Sequence, residues 1–191
     1  EDARRLKERF ALAKDVVVVG GGFIGLELAA TARLLGKTVT VLEAAPRLMG
    51  RVVAPAISSY FLDLHRAMGT AKELETPVPG ILGENGHAVA VETLTGERIP
   101  ADTVIVGVGV VPNVELAEAA GLHVANGIVV DEAMRTSDPR IVAAGDAVSF
   151  HHWALGRPVR LESVQNAVDQ AKTGVAALLG KVEPYRAVPW F

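Results

Sequence analysis

The chain has 191 residues, half of them apolar, with a formal net charge of -3 and no cysteine. That length suits one large or two small globular domains with an ordinary core, and the composition excludes a disulfide framework, a thiolate metal site or a redox dithiol within these residues. The basic residues are dispersed, so neither nucleic acid nor an anionic membrane surface is an expected partner, and the longest apolar stretch, Val16 to Leu35, is broken by glycines, Glu27 and Arg33 and is not expected to span a bilayer.

Asp2 to Ala13 reads as an amphipathic lead-in helix with Leu6, Phe10 and Ala13 on one face. Val16 to Val19 are β-branched and predict a buried strand, after which the chain turns through Gly20, Gly22 and Gly25, in G-x-G-x-x-G spacing, into an Ala/Leu-rich helix. Gly20 permits the tight turn, Gly22 lets the backbone approach a pyrophosphate, and Gly25 lets the helix pack closely on the strand. The pyrophosphate then lies over the positive end of that helix. A second strand, Thr38 to Leu42, ends at Glu43, whose carboxylate can accept hydrogen bonds from both hydroxyls of an adenosine ribose. Losing it is expected to weaken dinucleotide binding and to leave folding nearly unchanged. A glycine-rich turn without a ligand is the alternative, but strand, glycines, helix, second strand and acid in register favour the nucleotide.

Ala44 to Met49 reads as a loop, and residues 55 to 68 return to a helical period through Ile57, Tyr60, Phe61, Leu64 and Met68, ended by Gly69. Residues 70 to 80, with two prolines, predict a weak edge strand or loop. His87 to Leu94 alternates and is expected to pair with Arg98 to Pro100 in a small antiparallel meander. Asp102 to Val111 predicts a buried strand, with Gly107 and Gly109 presenting bare backbone at its carboxyl end, where ligands lie in open α/β sheets. A β-bulge or tight packing would account for the same glycines. A domain boundary is expected between Gly107 and Asn113. Beyond it come a short helix, Val114 to Ala120, a strand, Ile128 to Val130, and another strand, Ile141 to Ala144, running into Gly145-Asp146. There Asp146 can accept a hydrogen bond from a polyol hydroxyl, or can simply cap the next helix. His151-His152 reads as a solvated loop pair, with no third ligand at metal-site spacing.

Five blocks resemble the two-dinucleotide-binding flavoprotein reductases, most closely the ferredoxin reductases of bacterial oxygenase systems, of the putidaredoxin-reductase and biphenyl-dioxygenase-reductase types. They are Val19 to Ala30, Val41 to Met49 with Arg51, Val106 to Asn113, Thr136 to Asp146 and Arg160 to Ala167. The resemblance implies an α/β fold: a Rossmann-like parallel sheet with an antiparallel meander, residues 1–108, as an NADH-binding domain, and residues 109–191 as the carboxyl-terminal, incomplete part of a second Rossmann-like, FAD-binding domain. It implies that hydride passes from NADH to FAD and that single electrons leave for a small [2Fe-2S] ferredoxin of an oxygenase system, so that the cofactors carry the chemistry and no side chain acts as nucleophile or base.

Carried over by position, Phe23 and Ile24 belong with Gly20, Gly22 and Gly25 to the nucleotide loop, and Glu27 resembles the residue that positions the nicotinamide amide. Its alternative is an exposed helix charge. Glu43 resembles the adenine-ribose acid and Arg51 a nearby ribose or phosphate contact. Gly107, Val108 and Gly109 belong to the loop beyond the strand. Gly145 and Asp146 resemble the ribityl-binding pair of FAD, and Glu162, Ser163, Val164 and Gln165 the helix start beneath the isoalloxazine, where the helix dipole favours negative charge. NADH is expected over NADPH because Glu43 and Ala44-Ala45 stand where a 2′-phosphate needs basic partners.

The family's first G-x-G-x-x-G and its carboxyl-terminal interface domain have no counterpart here, and the chain opens at Glu1. A segment of a longer, cytoplasmic protein is therefore expected, colourless and self-associating through an exposed apolar face when isolated. A disulfide reductase or NADH oxidase relative, and a non-catalytic or signalling flavoprotein like apoptosis-inducing factor, are the competing readings. Arg160 to Ala167 and the Pro189-Trp190-Phe191 ending favour the ferredoxin-reductase branch.

Overall fold

The structure, a computed structural model, describes residues 2–187. The Pro189-Trp190-Phe191 ending lies outside the described residues. The chain forms two compact units, Glu1–Gly109 and Val110–Phe191.

In the first unit α1 (Asp2–Leu12) leads into β1 (Asp15–Val19), followed by α2 (Phe23–Leu34), β2 (Thr38–Leu42) and α3 (Pro55–Ala67). Next come β3 (Ala71–Glu73), β4 (Gly80–Glu84), β5 (His87–Glu92), β6 (Arg98–Pro100) and β7 (Thr103–Val106). Strands β3, β2, β1 and β7 lie side by side in that order, all parallel. The valines of β1 explain its place near the centre. Val16 and Val18 pack with Leu26, Ala29, Ala32 and Phe10 on one face, while Val17 packs with Val91 and Ala101 on the other. A parallel strand covered on both faces reads as an unbroken apolar run, and each such side chain removed from water contributes about 1.5–3 kcal/mol.

The expected meander has one strand more than the sequence reading allowed. Asn85 and Gly86, at φ 51° and 79°, form the left-handed two-residue turn that suits a hairpin, and through it β4 pairs antiparallel with β5, which pairs with β6. Within residues 70 to 80, β3 is a three-residue edge strand running parallel to β2.

Two local expectations are corrected in this unit. Helix α3 forms, but Ile57, Tyr60 and Leu64 are exposed, whereas Ser58 and His65 are buried and Phe61 and Leu62 pack on the core. The reason is a polar socket. The Ser58 hydroxyl donates to the Leu48 carbonyl at 2.6 Å and accepts from the Arg47 guanidinium at 3.0 Å, so a polar side chain is satisfied inside while Ile57, Tyr60 and Leu64 are turned outward. The run to Val111 is not a buried strand either. β7 ends at Val106, the last bond being Gly107 N–H to the Val19 carbonyl at 2.8 Å, and Val108, Val110 and Val111 are exposed. Apolar sequence can extend a strand only as far as a neighbour continues the ladder, and β1 stops at Val19.

The second unit contains α4 (Glu115–Ala119), β8 (Ile128–Val130), β9 (Val148–His152), β10 (Arg157–Val159) and α5 (Val164–Leu178). Its sheet runs β10-β9-β8, with β8 and β9 parallel and β9 and β10 a hairpin. Val130, Met134, Val148 and Phe150 form its core, flanked by Tyr185. The expected strand Ile141 to Ala144 is absent: one bridge, Val142 to Arg135, is its whole ladder, and Ile141 is exposed. An extended segment paired at a single position remains a loop. His151 and His152 close β9 instead of lying in a loop, and His152 Nδ1 accepts from the Ala154 and Leu155 amides at 3.2 and 3.3 Å, fastening the hairpin. Among the described residues no helix is long and apolar enough to cross a membrane.

Candidate functional site

In the first unit the turn between β1 and α2 interlocks with the end of β7. Gly20 has φ +107°, and a Cβ there would lie 2.4 Å from the Gly107 carbonyl oxygen, while a Cβ at Gly25 would lie 2.1 Å from the Gly20 carbonyl oxygen. No side chain fits at either position. Gly22 differs, since nothing lies within 4 Å of where its Cβ would be. It occupies the N-cap of α2 and supplies no side-chain cap, so the helix offers bare amides and its positive end beneath an open space, the arrangement that binds an anion.

Gly21, which the spacing treats as a free position, is held at both ends. Its N–H donates to Glu43 Oε2 at 2.6 Å, its carbonyl accepts from the Met49 N–H at 2.9 Å, and a Cβ would come within 2.5 Å of Leu48 Cδ2. Glu43 Oε1 also accepts from the Ala45 N–H at 2.8 Å. The acid at the end of β2 therefore braces the glycine loop, each charge-assisted bond being worth about 1.5–3 kcal/mol, and the expectation that its loss leaves folding nearly unchanged is revised. The signal was available: a strand-terminal acid has the loop's amides as its nearest donors. Arg47, absent from the sequence reading, ties the following loop together through the Gly50 and Val53 carbonyls and Ser58. Arg51 is exposed, its guanidinium 3.6 Å from the Cβ position of Gly109. Phe23, Ile24 and Glu27 are exposed at the start of α2, and Val108 is exposed beyond β7. Glycine loop, Glu43, Arg51 and the Gly107–Gly109 segment thus gather at the carboxyl end of the parallel sheet.

In the second unit an open, solvent-facing cavity of about 580 Å³ is lined by Asp146, Glu162, Ser163 and Val164, with Ala167 and Val168. Gly145, at φ +91°, lies buried behind it. Gln165 is the exception, outside the lining, its amide donating to the Asp169 carboxylate. Ser163 caps α5, its Oγ accepting from the Asn166 N–H at 3.2 Å. Asn166 is held in turn by the Tyr185 hydroxyl, which donates to Asn166 Oδ1 at 2.8 Å, and burial raises the affinity of that phenol for its proton. Arg160, largely buried, joins two lining residues: it donates to the Asp146 carbonyl at 2.9 Å and pairs with the Glu162 carboxylate at 2.7 Å. The Asp146 carboxylate accepts no hydrogen bond from any described residue. Among the described residues no His/Asp/Glu cluster could hold a metal ion.

A family model described as pyridine nucleotide-disulphide oxidoreductase matches residues 1–171. Over the whole chain the sequence is 48% identical to rhodocoxin reductase of Rhodococcus erythropolis, spanning 44% of that protein, and 46% identical to putidaredoxin reductase of Pseudomonas putida, spanning 46% of it. The structure resembles the ferredoxin reductase for the CYP199A2 system from Rhodopseudomonas palustris with a TM-score of 0.94 at 49% identity, covering 98% of this chain and 46% of that one. The chain thus spans under half the length of these relatives.

Proposed function

The chain belongs to the pyridine nucleotide-disulphide oxidoreductase family, and from that premise we propose that it serves an NADH-dependent, FAD-containing reductase that delivers electrons to a small [2Fe-2S] ferredoxin of an oxygenase system. In this reading residues 1–108 bind NADH and residues 109–191 form part of the FAD site. The observation that carries it is the glycine loop, where Gly20 and Gly25 are shut to side chains by backbone and Gly22 is open above the start of α2. That pattern closes the turn to side chains at Gly20 and Gly25 and leaves open space at the start of α2, where a pyrophosphate is received. The relatives' names, those of rhodocoxin, putidaredoxin and ferredoxin reductases, support the electron acceptor. When bound, the nicotinamide and flavin supply the hydride and single-electron chemistry.

The chain's own groups bind and orient. The α2 amides receive the pyrophosphate, and Glu43, whose oxygens each keep a free lone pair beyond the loop bonds, accepts from the ribose hydroxyls. Arg51 stands toward the phosphates, Glu27 toward the nicotinamide amide, and Phe23, Ile24 and the Gly107–Gly109 backbone border the nucleotide. Asp146 accepts from the ribityl hydroxyls of FAD with Gly145 behind it. Glu162 to Gln165 stand at the helix start that faces the flavin ring, and the α5 dipole favours negative charge there.

NADH is preferred over NADPH in this reading. A 2′-phosphate brought within about 4 Å of Glu43 costs on the order of 1–4 kcal/mol. Titrating both nucleotides against the chain checks the site, the expected result being measurable NADH binding and weaker NADPH binding; equal binding, or none, refutes it. Self-association through the exposed apolar segments, Val108 to Val111 among them, belongs to the same proposal, and a sedimentation-velocity run in which the isolated chain is a monomer at all concentrations would refute that part.

A further inference from the structure

The turn that presents Asp146 is fixed from both sides by side chains outside the site's lining. Gln170 is completely buried on α5, and its Oε1 accepts from the Gly145 N–H at 2.8 Å. Arg160 donates to the Asp146 carbonyl at 2.9 Å, and the Val148 N–H closes the turn onto the Gly145 carbonyl at 3.0 Å. Every polar backbone atom named here is spoken for, while the Asp146 carboxylate is unspent and lines the cavity.

Gln170 is an odd choice for a helix face packed in an interior. Its Nε2 is buried with no partner among the described residues, and an unpaired amide in an apolar setting is unfavourable. A leucine or methionine would avoid that cost, but it would leave the Gly145 N–H without an acceptor. Gly145, at φ +91°, occupies a conformation that other residues rarely adopt, so the peptide needs holding as well as freedom. We propose that Gln170 is a positioning residue: by holding the Gly145 amide, with Arg160 holding the Asp146 carbonyl, it preorders the turn that aims the Asp146 carboxylate into the cavity. This rests on the reading of Asp146 as a flavin-binding acid; the hold on the turn itself does not.

Two measurements separate the parts, made on the protein in its longest natural form with Gln170→Met, Asp146→Asn, the double variant and Gln170→Glu. The first follows amide hydrogen exchange at Gly145 without flavin. Gln170→Met is expected to speed exchange there at least tenfold relative to the β9 amides, and Gln170→Glu, which keeps an acceptor, to restore most of the protection. The second is FAD affinity by fluorescence titration of the apoprotein. Gln170→Met is expected to weaken it about tenfold in the parent background and less than about twofold in the Asp146→Asn background, because contacting and positioning residues share one loss. Unchanged exchange at Gly145 overturns the hold on the turn. An equal loss of FAD affinity in both backgrounds shows that Gln170 acts on the fold and not through Asp146, and overturns the proposal. A parent protein that binds no FAD sinks the flavin reading, and the proposed aim at a flavin with it, while the exchange data still decide the hold on the turn.

Discussion

Glu43 and Asp146 are both acids that follow an apolar run, one in each unit, and the structure uses them in opposite ways. Glu43 has an anchored carboxylate, with one oxygen on the Gly21 amide and the other on the Ala45 amide. Asp146 has an anchored backbone and an uncommitted carboxylate. The first acid shapes its loop; the second is shaped by its neighbours and keeps the accepting capacity of its carboxylate unspent. An acid at the end of an apolar run is therefore not one kind of evidence. Where its lone pairs go decides whether removing it damages the fold, the ligand affinity, or both.

The largest expected effect tests the frame that supports Glu43. Gly25→Ala puts a Cβ 2.1 Å from the Gly20 carbonyl oxygen, and since the Cβ is fixed by its own backbone and the oxygen belongs to backbone there is little relief. A loss of about 3 kcal/mol or more is expected, read as a shift in the urea midpoint at unchanged slope. A loss under about 1 kcal/mol would mean the turn is not interlocked as described.

The comparison itself is tested by Glu43→Ala against Asp146→Asn. The former is expected to lower stability by about 2 kcal/mol as well as to weaken NADH binding, because it removes two charge-assisted bonds. The latter should lie within about 0.5 kcal/mol of the parent. Glu43→Gln should not rescue stability, since an amide turns its NH2 toward one of the two N–H donors. Equal destabilisation by the two acid variants, or full rescue by glutamine, breaks the contrast.

Ser163→Ala removes the α5 cap and is expected to cost about 1 kcal/mol; thermal melts that superimpose on the parent would show the cap idle. The smallest effect is a pH dependence confined to the first unit. Burial, aided by the Lys72 cation, holds His65 below its ordinary 6.5, so the unfolded chain takes up a proton before the folded one does. Stability from this group is present above about pH 6.5 and is lost as pH falls through the lower folded value. His65→Leu should flatten that part of the stability profile between pH 7 and 5, and an unchanged profile would assign the dependence elsewhere.

The glycine spacing, the valine run and the β2 terminus were legible because each depends on local chemistry: backbone room, strand propensity and one turn of chain. The Asn85-Gly86 pair is itself a hairpin signal in the sequence, and it lies just beyond the proline-bearing segment, residues 70 to 80, that reads as an edge strand or loop. The inward face of α3 was not legible. Its polar core residue Ser58 is satisfied by Arg47 and the Leu48 carbonyl, and no periodicity encodes a partner ten residues away. The site of the second unit shows the same limit: Ser163 was legible as a helix start, but Gln170 and Arg160 were not legible as holders of the Gly145–Asp146 turn.

The sequence by itself determined the α/β architecture, the parallel sheet and the glycine loop, since these follow from short-range sterics and from which residues avoid water. Only the tertiary structure decided that β7 stops at Val106, that Ile141 to Ala144 remains a loop, that Gly21 is pinned by the Glu43 carboxylate and the Met49 amide while Gly22 stays open, and which acid keeps a free carboxylate. Each of those depends on whether a partner strand, amide or guanidinium arrives from elsewhere in the chain, and hydrogen-bond satisfaction is a property of that arrival and not of the residue.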